Sequence, residues 1–315
     1  MTVVSVRHKI KFYLVNIVVI LSLLALGSLM PLILFKHGED QYTISKIILI
    51  VVFNGMTCFT GFYSAYVYWK NVPIIRIDCN FICFNKEIFS VDDLEEIIYT
   101  GKKNFPYLLG YPMEAASLRF KNGQIKYIYD DMYENSWKLK TFLKQVVINK
   151  RDFVVPELKS VDSNEMASES YDFFIGNQFM SFRGVILWGL GGFIAYRLLV
   201  MGSSVRVGAW IVIAVLGTFW FLFNSWLMHY FKVSSSFLVV KNHNLWWRKK
   251  VYRLSNIEEV VFETHGKMPD SLRVITKDFR YNLYPAGTLR DNTWLGLKDK
   301  LEMQGVKVRN ELPDF

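Results

Sequence analysis

Three cysteines in 315 residues are too few for a disulfide framework. Cys79 and Cys83 form a CxxxC spacing without a histidine or second cysteine pair beside them, so they read as small apolar residues of a strand rather than zinc ligands. The five histidines (His8, His37, His229, His243, His265) are scattered, and neither HExxH nor GxSxG occurs. The sequence therefore points to no catalytic residue, cofactor or metal, and it calls for no nucleic-acid partner. Acidic residues and lysines are missing from the depth of the long apolar runs, whose few strongly polar groups include Asn16, Asn54, Asn224 and Ser225. Ion pumps and proton-coupled carriers need ionisable groups at such places. The asparagines read instead as hydrogen bonders between helices.

What is abundant is apolar and basic. The chain is 52% hydrophobic and 16% aromatic, with a formal charge of +9 and a mean hydropathy of +0.19. Four windows (Phe12 to Phe35, Ile47 to Trp69, Gly184 to Met201, Val207 to Phe231) have the length and composition expected to cross a ~30 Å hydrocarbon layer. The first is too long for a cleaved signal peptide, and its apolar run continues through Pro31 to Phe35, where a cleavage site would lie. Arg7, Lys9 and Lys11 precede the first window, Lys70 and Arg76 follow the second, and Lys232 follows the fourth. By the positive-inside rule this predicts a four-span protein with both termini and both polar segments cytoplasmic. Arg197 and Arg206, which bracket the second hairpin tip, would then have to snorkel.

Two stretches, DDLEEIIYTGKK (Asp92 to Lys103) and LSNIEEVVFETHGK (Leu254 to Lys267), are nearly alike. Each follows an apolar hairpin ending in an aromatic and a lysine, YVYWK (Tyr66 to Lys70) and HYFK (His229 to Lys232). Each precedes a hairpin pattern, SLRFKNGQIKYIY (Ser117 to Tyr129) and SLRVITKDFRYNLY (Ser271 to Tyr284), with Asn-Gly or Lys-Asp expected at the turn. Each ends in a tryptophan-led amphipathic helix, Glu134 to Val147 and Asp291 to Gly305, in which Trp137 and Trp294 are the expected anchors. The chain thus reads as a duplication: a hairpin over 1–69, a strand-rich domain over 70–150, an acidic linker over 151–178, a second hairpin over 179–231 and a second domain over 232–315.

This order of strands, a phrase such as YRLSNIEEVVF, a β-hairpin and a Trp-led helix resembles the bacterial pleckstrin-homology-like (PH-like) domain, which is often attached to pairs of membrane spans. The resemblance implies two antiparallel β-sandwich or barrel domains, each closed by its C-terminal helix. Together with the apolar windows, the expected class is integral membrane α-helical hairpins plus α+β. Adaptor function is what the family would imply.

Several features could carry recognition. The paired glutamates do not suggest acid–base chemistry, because adjacent strand residues point to opposite faces. GLGG (Gly189 to Gly192) lies inside an apolar window and fits close helix packing better than a phosphate loop. NHNLWWRKK (Asn242 to Lys250) sets Trp246 and Trp247 beside Arg248, Lys249 and Lys250, a combination suited to an anionic membrane surface. KKNFPYLLGYP carries Lys102, Lys103, Phe105, Tyr107, Leu108, Leu109 and Tyr111, which could tuck onto the domain, touch lipid or bind a partner. The linker offers Glu157, Asp162, Glu165 and Glu169, read as a solvated tether or a recognition segment. Two functions follow. One is a non-enzymatic protein of the bacterial inner membrane that recognises a protein partner, including the possibility of an immunity or self-recognition factor against a cognate effector. The other is a membrane lipid sensor or scaffold. A transporter component is a third. Oligomeric state is not legible.

Overall fold

The computed structural model describes residues 1–36, 44–106, 111–156, 161–201, 207–264 and 268–312. The chain divides into two units, Met1–Val155 and Pro156–Phe315.

In the first unit, strand β1 (Val3–Val4) leads through a π-helical turn (Lys9–Leu14) into helix α1 (Val15–Lys36), which is followed by α2 (Ile44–Asn71). Strands β2 (Ile75–Ile77), β3 (Phe81–Phe84) and β4 (Glu87–Ser90) come next, and β1 pairs antiparallel with β2 so that Val3 faces Ile77. The sheet order is β1-β2-β3-β4, so the apolar helices are inserted between two neighbouring strands. A β-carbon on Gly27 would come within 2.7 Å of Thr57 Oγ1 and 3.0 Å of Asn54 Oδ1, and only glycine lets the two helices approach this closely. The second sheet is built on the long β7 (Tyr111–Phe120), which pairs with β5 (Leu94–Ile98), β6 (Lys102–Phe105) and β8 (Ile125–Tyr129). Strand alternation sends Ile75 and Ile77 inward and Arg76 outward. Helix α3 (Ser136–Phe142) adds Leu139 and Phe142 to a core that contains Ile75, Leu118, Phe120 and Ile128.

The second unit repeats the plan. It comprises α4 (Ser163–Ala167), β9 (Asp172–Phe174), α5 (Phe182–Gly184), a π-helical turn (Val185–Gly189), α6 (Leu190–Met201) and α7 (Val207–Trp226). Then follow β10 (His229–Val233), β11 (Phe237–Asn242), β12 (Lys249–Arg253), β13 (Ile257–Glu263), β14 (Ser271–Thr276), β15 (Tyr281–Pro285), α8 (Asp291–Met303) and β16 (Val308–Asn310). The sheets are β12-β11-β10-β9 and β15-β14-β13-β16, with β16 parallel to β13. Again the apolar helices sit between the first strand of a sheet, β9, and its neighbour, β10.

The structure corrects the expected class and topology. Among the described residues two helices, not four, are long and apolar enough to cross a membrane: Lys9–Leu29 and Ile47–Asn71. In the second unit the apolar helix found among the described residues, Trp210–Trp226, falls short of that length. The four-span inner-membrane protein with all polar parts cytoplasmic therefore does not stand. The sheets are four separate ones, and no closed barrel forms among the described residues. What remains is an α+β chain with two helices suited to association with a membrane.

The acidic segment is more than a tether. Asp162 caps α4 by accepting from the Asn164 N–H (3.1 Å), and Glu165 pairs with Arg253. Glu169 accepts from the Ser236 N–H (3.3 Å), while Asp172 on β9 meets Lys300 at 2.7 Å. Burial opposes ionisation of Glu169, but hydrogen bonds from Ser234, Ser236 and Ser235 outweigh it and hold the carboxyl below the usual glutamate range. The described part of the segment thus supplies an edge strand and ion pairs to the second unit.

The repeated glutamates also acquire a role. In each copy the pairing skips one residue, Glu95 between Leu94 and Glu96 and Glu258 between Ile257 and Glu259, so each doublet marks a β-bulge. Counting from these bulges, Leu118 corresponds to Val274, and the two Ser-Leu-Arg triplets are two residues out of step. The turns confirm the shift. Gly123 (φ 80) and Phe279 (φ 61) hold the same left-handed position, one after Asn122 and the other after Asp278. Asn122 Oδ1 accepts from Gln124 N (3.0 Å) as Asp278 Oδ1 does from Arg280 N (3.2 Å). The second turn is centred on Asp278-Phe279, one residue beyond the expected Lys-Asp.

Candidate functional site

Strand β10 starts directly after α7, so the β11–β12 loop returns to the last turn of an apolar helix. Three asparagine contacts hold it there. Asn242 Nδ2 donates to the Ser225 carbonyl (2.6 Å), and Asn244 Nδ2 donates to Ser225 Oγ (3.0 Å). Gln178, from the segment entering α5, donates to Asn244 Oδ1 at 2.6 Å. Asn242 Oδ1 also accepts from the N–H groups of Asn244 and Leu245, which shapes the turn, while Leu245 is buried beneath it. Ser225 and Asn242 are both buried, so these bonds form away from water, where leaving them unmade would be costly.

Above this anchor the side chains face out. Trp246 and Trp247 are 79% and 61% exposed and meet edge to face with centroids 5.7 Å apart. Arg248, Lys249 and Lys250 are exposed beside them. Phe179, Met180 and Phe182, from the segment entering the apolar helices, are exposed as well. Phe179 lies 5.9 Å from Trp188, which in turn contacts Phe221 of α7 at 6.1 Å. The exposed face of α7 carries Ile211, Val215, Leu216, Phe219 and Leu222. Exposed aromatics and cations are therefore carried on two segments, tied together by Gln178 and Asn244, that lead to and from the apolar helices. Water is a poor partner for such a surface, whereas the headgroup layer suits both components.

The first unit has the same composition at the same place. Arg7 donates through Nε (3.0 Å) and Nη2 (2.7 Å) to the Val72 carbonyl, and its guanidinium lies 4.9 Å from the Phe12 ring and 4.8 Å from Trp69. Ile10, Tyr13, Tyr66 and Trp69 are exposed around it.

Other expected site residues separate from this pattern. Phe105 is buried against Tyr68 and Tyr129, each ring 5.1 Å away, so it belongs to the core. Lys102 and Lys103 on β6 are half-buried, and Tyr111 on β7 is exposed. Tyr107, Leu108, Leu109 and Glu157 lie outside the described residues. Asp162, Glu165 and Glu169 serve the second unit as described. A β-carbon at Gly191 or Gly192 would meet nothing within 4 Å, so these two glycines of GLGG do not mark the expected close packing. Asn16 and Asn224 donate to the carbonyls of Phe12 and Trp220 four residues earlier, within their own helical segments.

Sequence reasoning missed Asn242, Asn244, Gln178 and Ser225 as the frame of the loop. Their only signal was the Asn-rich start of NHNLWWRKK. Among the described residues no three of His, Cys, Asp and Glu gather as a metal site. No family model and no curated protein matches the chain.

Proposed function

We propose that the chain is a membrane-attached, non-enzymatic binding protein whose second unit reads an anionic membrane surface through Trp246, Trp247, Arg248, Lys249 and Lys250. The observation that carries this reading is the hydrogen bonding of Asn242 and Asn244 to Ser225, which holds the exposed loop at the last turn of α7. Each cation near an anionic leaflet contributes ~1 kcal/mol, so the three together add up to ~3 kcal/mol, and salt screens that contribution. The tryptophans supply an apolar contribution that salt leaves in place.

Recognition of a protein partner, with or without an immunity role, has less support. It would draw on the Phe105–Tyr111 loop and the acidic segment; of the described loop residues Phe105 is buried and Tyr111 exposed, and Glu165 and Asp172 are engaged within the second unit. Kinship with the PH-like family remains part of the proposal. Its support is the repeated succession of two sheets and a following helix in each unit.

The test is quenching of tryptophan fluorescence in the full-length protein, reconstituted into bilayers of brominated zwitterionic or brominated anionic lipid. A quenched component should disappear in Trp246→Phe/Trp247→Phe. It should be larger in anionic bilayers at low salt and fall in Arg248→Gln/Lys249→Gln/Lys250→Gln. Equal quenching of parent and double-Phe protein would sink the proposal.

A further inference from the structure

The first unit holds a cleft of ≈ 1070 Å³ where α2 ends and β2 begins. Its wall is strongly basic: Arg7, Lys70, Arg76, Lys86 and Lys126 line it, with Glu87 as the one carboxylate among the described lining residues. Glu87 is already paired with Lys126 at 2.5 Å. Lys70, Arg76 and Lys86 are exposed, and among the described residues none of them has a carboxylate partner within 4.0 Å. They come from three different elements: the last turn of α2, the outward face of β2 and the β3–β4 turn. Cations converging from separate elements without a counter-charge repel one another unless an anion is present.

The end of α2 would by itself oppose an anion, since a helix C-terminus carries about half a negative charge. Arg7 removes that obstacle by donating twice to the Val72 carbonyl. Trp69, 58% exposed, forms part of the same wall. The cleft therefore offers the exposed guanidinium of Arg76, the ammonium groups of Lys70 and Lys86 and the Trp69 indole at the point where one of the two membrane-length helices ends. An arginine fork with nearby ammonium groups matches a phosphate better than a lone carboxylate, because phosphate presents several acceptor oxygens in a tetrahedron.

We propose that this cleft binds the phosphate of an anionic membrane lipid headgroup. Its placement rests on the membrane attachment proposed above, but its residues are not those of the Trp246–Lys250 loop. The lipid is the expected source of the phosphate because the acyl chains would run beside α1 and α2 while the headgroup enters the cleft.

The experiment is titration calorimetry of the full-length protein in non-ionic detergent with dioctanoyl phosphatidic acid, dioctanoyl phosphatidylcholine or inorganic phosphate. One saturable site per chain is expected for phosphatidic acid, with phosphatidylcholine and inorganic phosphate each at least tenfold weaker. Arg76→Gln/Lys86→Gln should weaken that site about 25-fold, about fivefold for each cation near the surface. Both positions are exposed, and an unchanged melting transition would show that folding is intact. Lys70→Gln, on the helix, tests the same cleft from a third element and should lose about fivefold. Arg248→Gln/Lys249→Gln/Lys250→Gln should leave the site unchanged, so failure of the loop reading and failure of the cleft are told apart. Inorganic phosphate binding as tightly as the lipid would overturn the assignment to a headgroup. Unaltered binding in both cleft variants would overturn the site itself.

Discussion

Leu139 and Trp294 occupy one and the same position in the helices that follow the second sheet of each unit. Each donates its N–H to the carbonyl of the capping residue four positions earlier, Leu139 to Asn135 (3.2 Å) and Trp294 to Arg290 (3.0 Å), and each side chain is buried. Trp137, which the sequence pattern pairs with Trp294, lies two residues away and is half-buried. Trp294 touches Phe231 and Phe262 with centroids 5.8 Å and 5.6 Å apart, so it joins both sheets of its unit. Trp294→Ala should cost ~3–5 kcal/mol and Leu139→Ala ~2–5 kcal/mol, while Trp137→Ala should cost ~1 kcal/mol or less. Limited proteolysis of the full-length protein reads this order directly. A Trp137→Ala protein as fragile as Trp294→Ala would contradict it.

A second test concerns the ion pair inside the first unit. Lys140 Nζ sits 2.6 Å from Asp130 Oδ1, with both side chains almost wholly buried. Removing one member strands the other charge in a medium that solvates it poorly. Lys140→Met should therefore destabilise the unit by ~3–5 kcal/mol, and adding Asp130→Leu should restore part of the loss. Chemical denaturation of Lys140→Met, Asp130→Leu and the double variant checks the non-additivity. Equal stability of the single and double variants would mean that the aspartate finds another way to be satisfied.

A third prediction is one of pH. His229 is buried, its Nδ1 donates to the Pro285 carbonyl oxygen at 2.9 Å, and burial, reinforced by the nearby Arg248 and His243, pushes its pKa down to about 4. The unfolded chain takes up a proton near pH 6.5, which the folded chain refuses. Stability from this residue is thus fully present above pH 6.5 and declines as pH falls from 6.5 toward 4, by about 3 kcal/mol in all. Melting transitions at about pH 7.5 and about pH 4.5 should differ more for the parent than for His229→Gln. An equal pH slope in both would reject the assignment.

A fourth compares two features of the acidic segment. The Glu165–Arg253 pair is partly solvated, so Glu165→Gln should change stability by less than ~1 kcal/mol. Phe174 of β9 packs against the core of the second unit, and Phe174→Ala should cost ~1–3 kcal/mol and expose the β10 edge to protease. If the glutamate substitution proved the more damaging, the segment would be held by charge rather than by its strand.

Much of this arrangement is legible in the chain before folding, and the exceptions have physical causes. Apolar runs, the duplication and the strand–turn–strand patterns are local and repeat about every 2 or 3.6 residues, so they survive reading in one dimension. Register is not local. The matching Ser-Leu-Arg triplets drew the copies into a false alignment two residues off, and a shift of two preserves which face each residue occupies, so burial patterns give no warning. Phe279 hid the second turn because a left-handed position ordinarily calls for glycine or asparagine. The strand Asp172–Phe174 is three residues long, and its partners Phe231 to Val233 lie beyond α5, α6 and α7, so no periodicity could reveal it. At the candidate site the tryptophans and cations stood out in sequence. The asparagine frame that places them at the end of α7 depends on contacts with Ser225 and became visible only in three dimensions.

The insertion of α1 and α2 between β1 and β2 also sets an order of events during synthesis. Val3 emerges from the ribosome before both apolar helices but pairs with Ile77, which is made only after them. At about 5–20 residues per second the first strand waits several seconds with its edge unpaired. Among the described residues its one sheet neighbour is β2. Closure of the first sheet therefore reports that the two helices have already left and returned, and a nascent chain whose helices go astray leaves its N-terminal strand open to quality control.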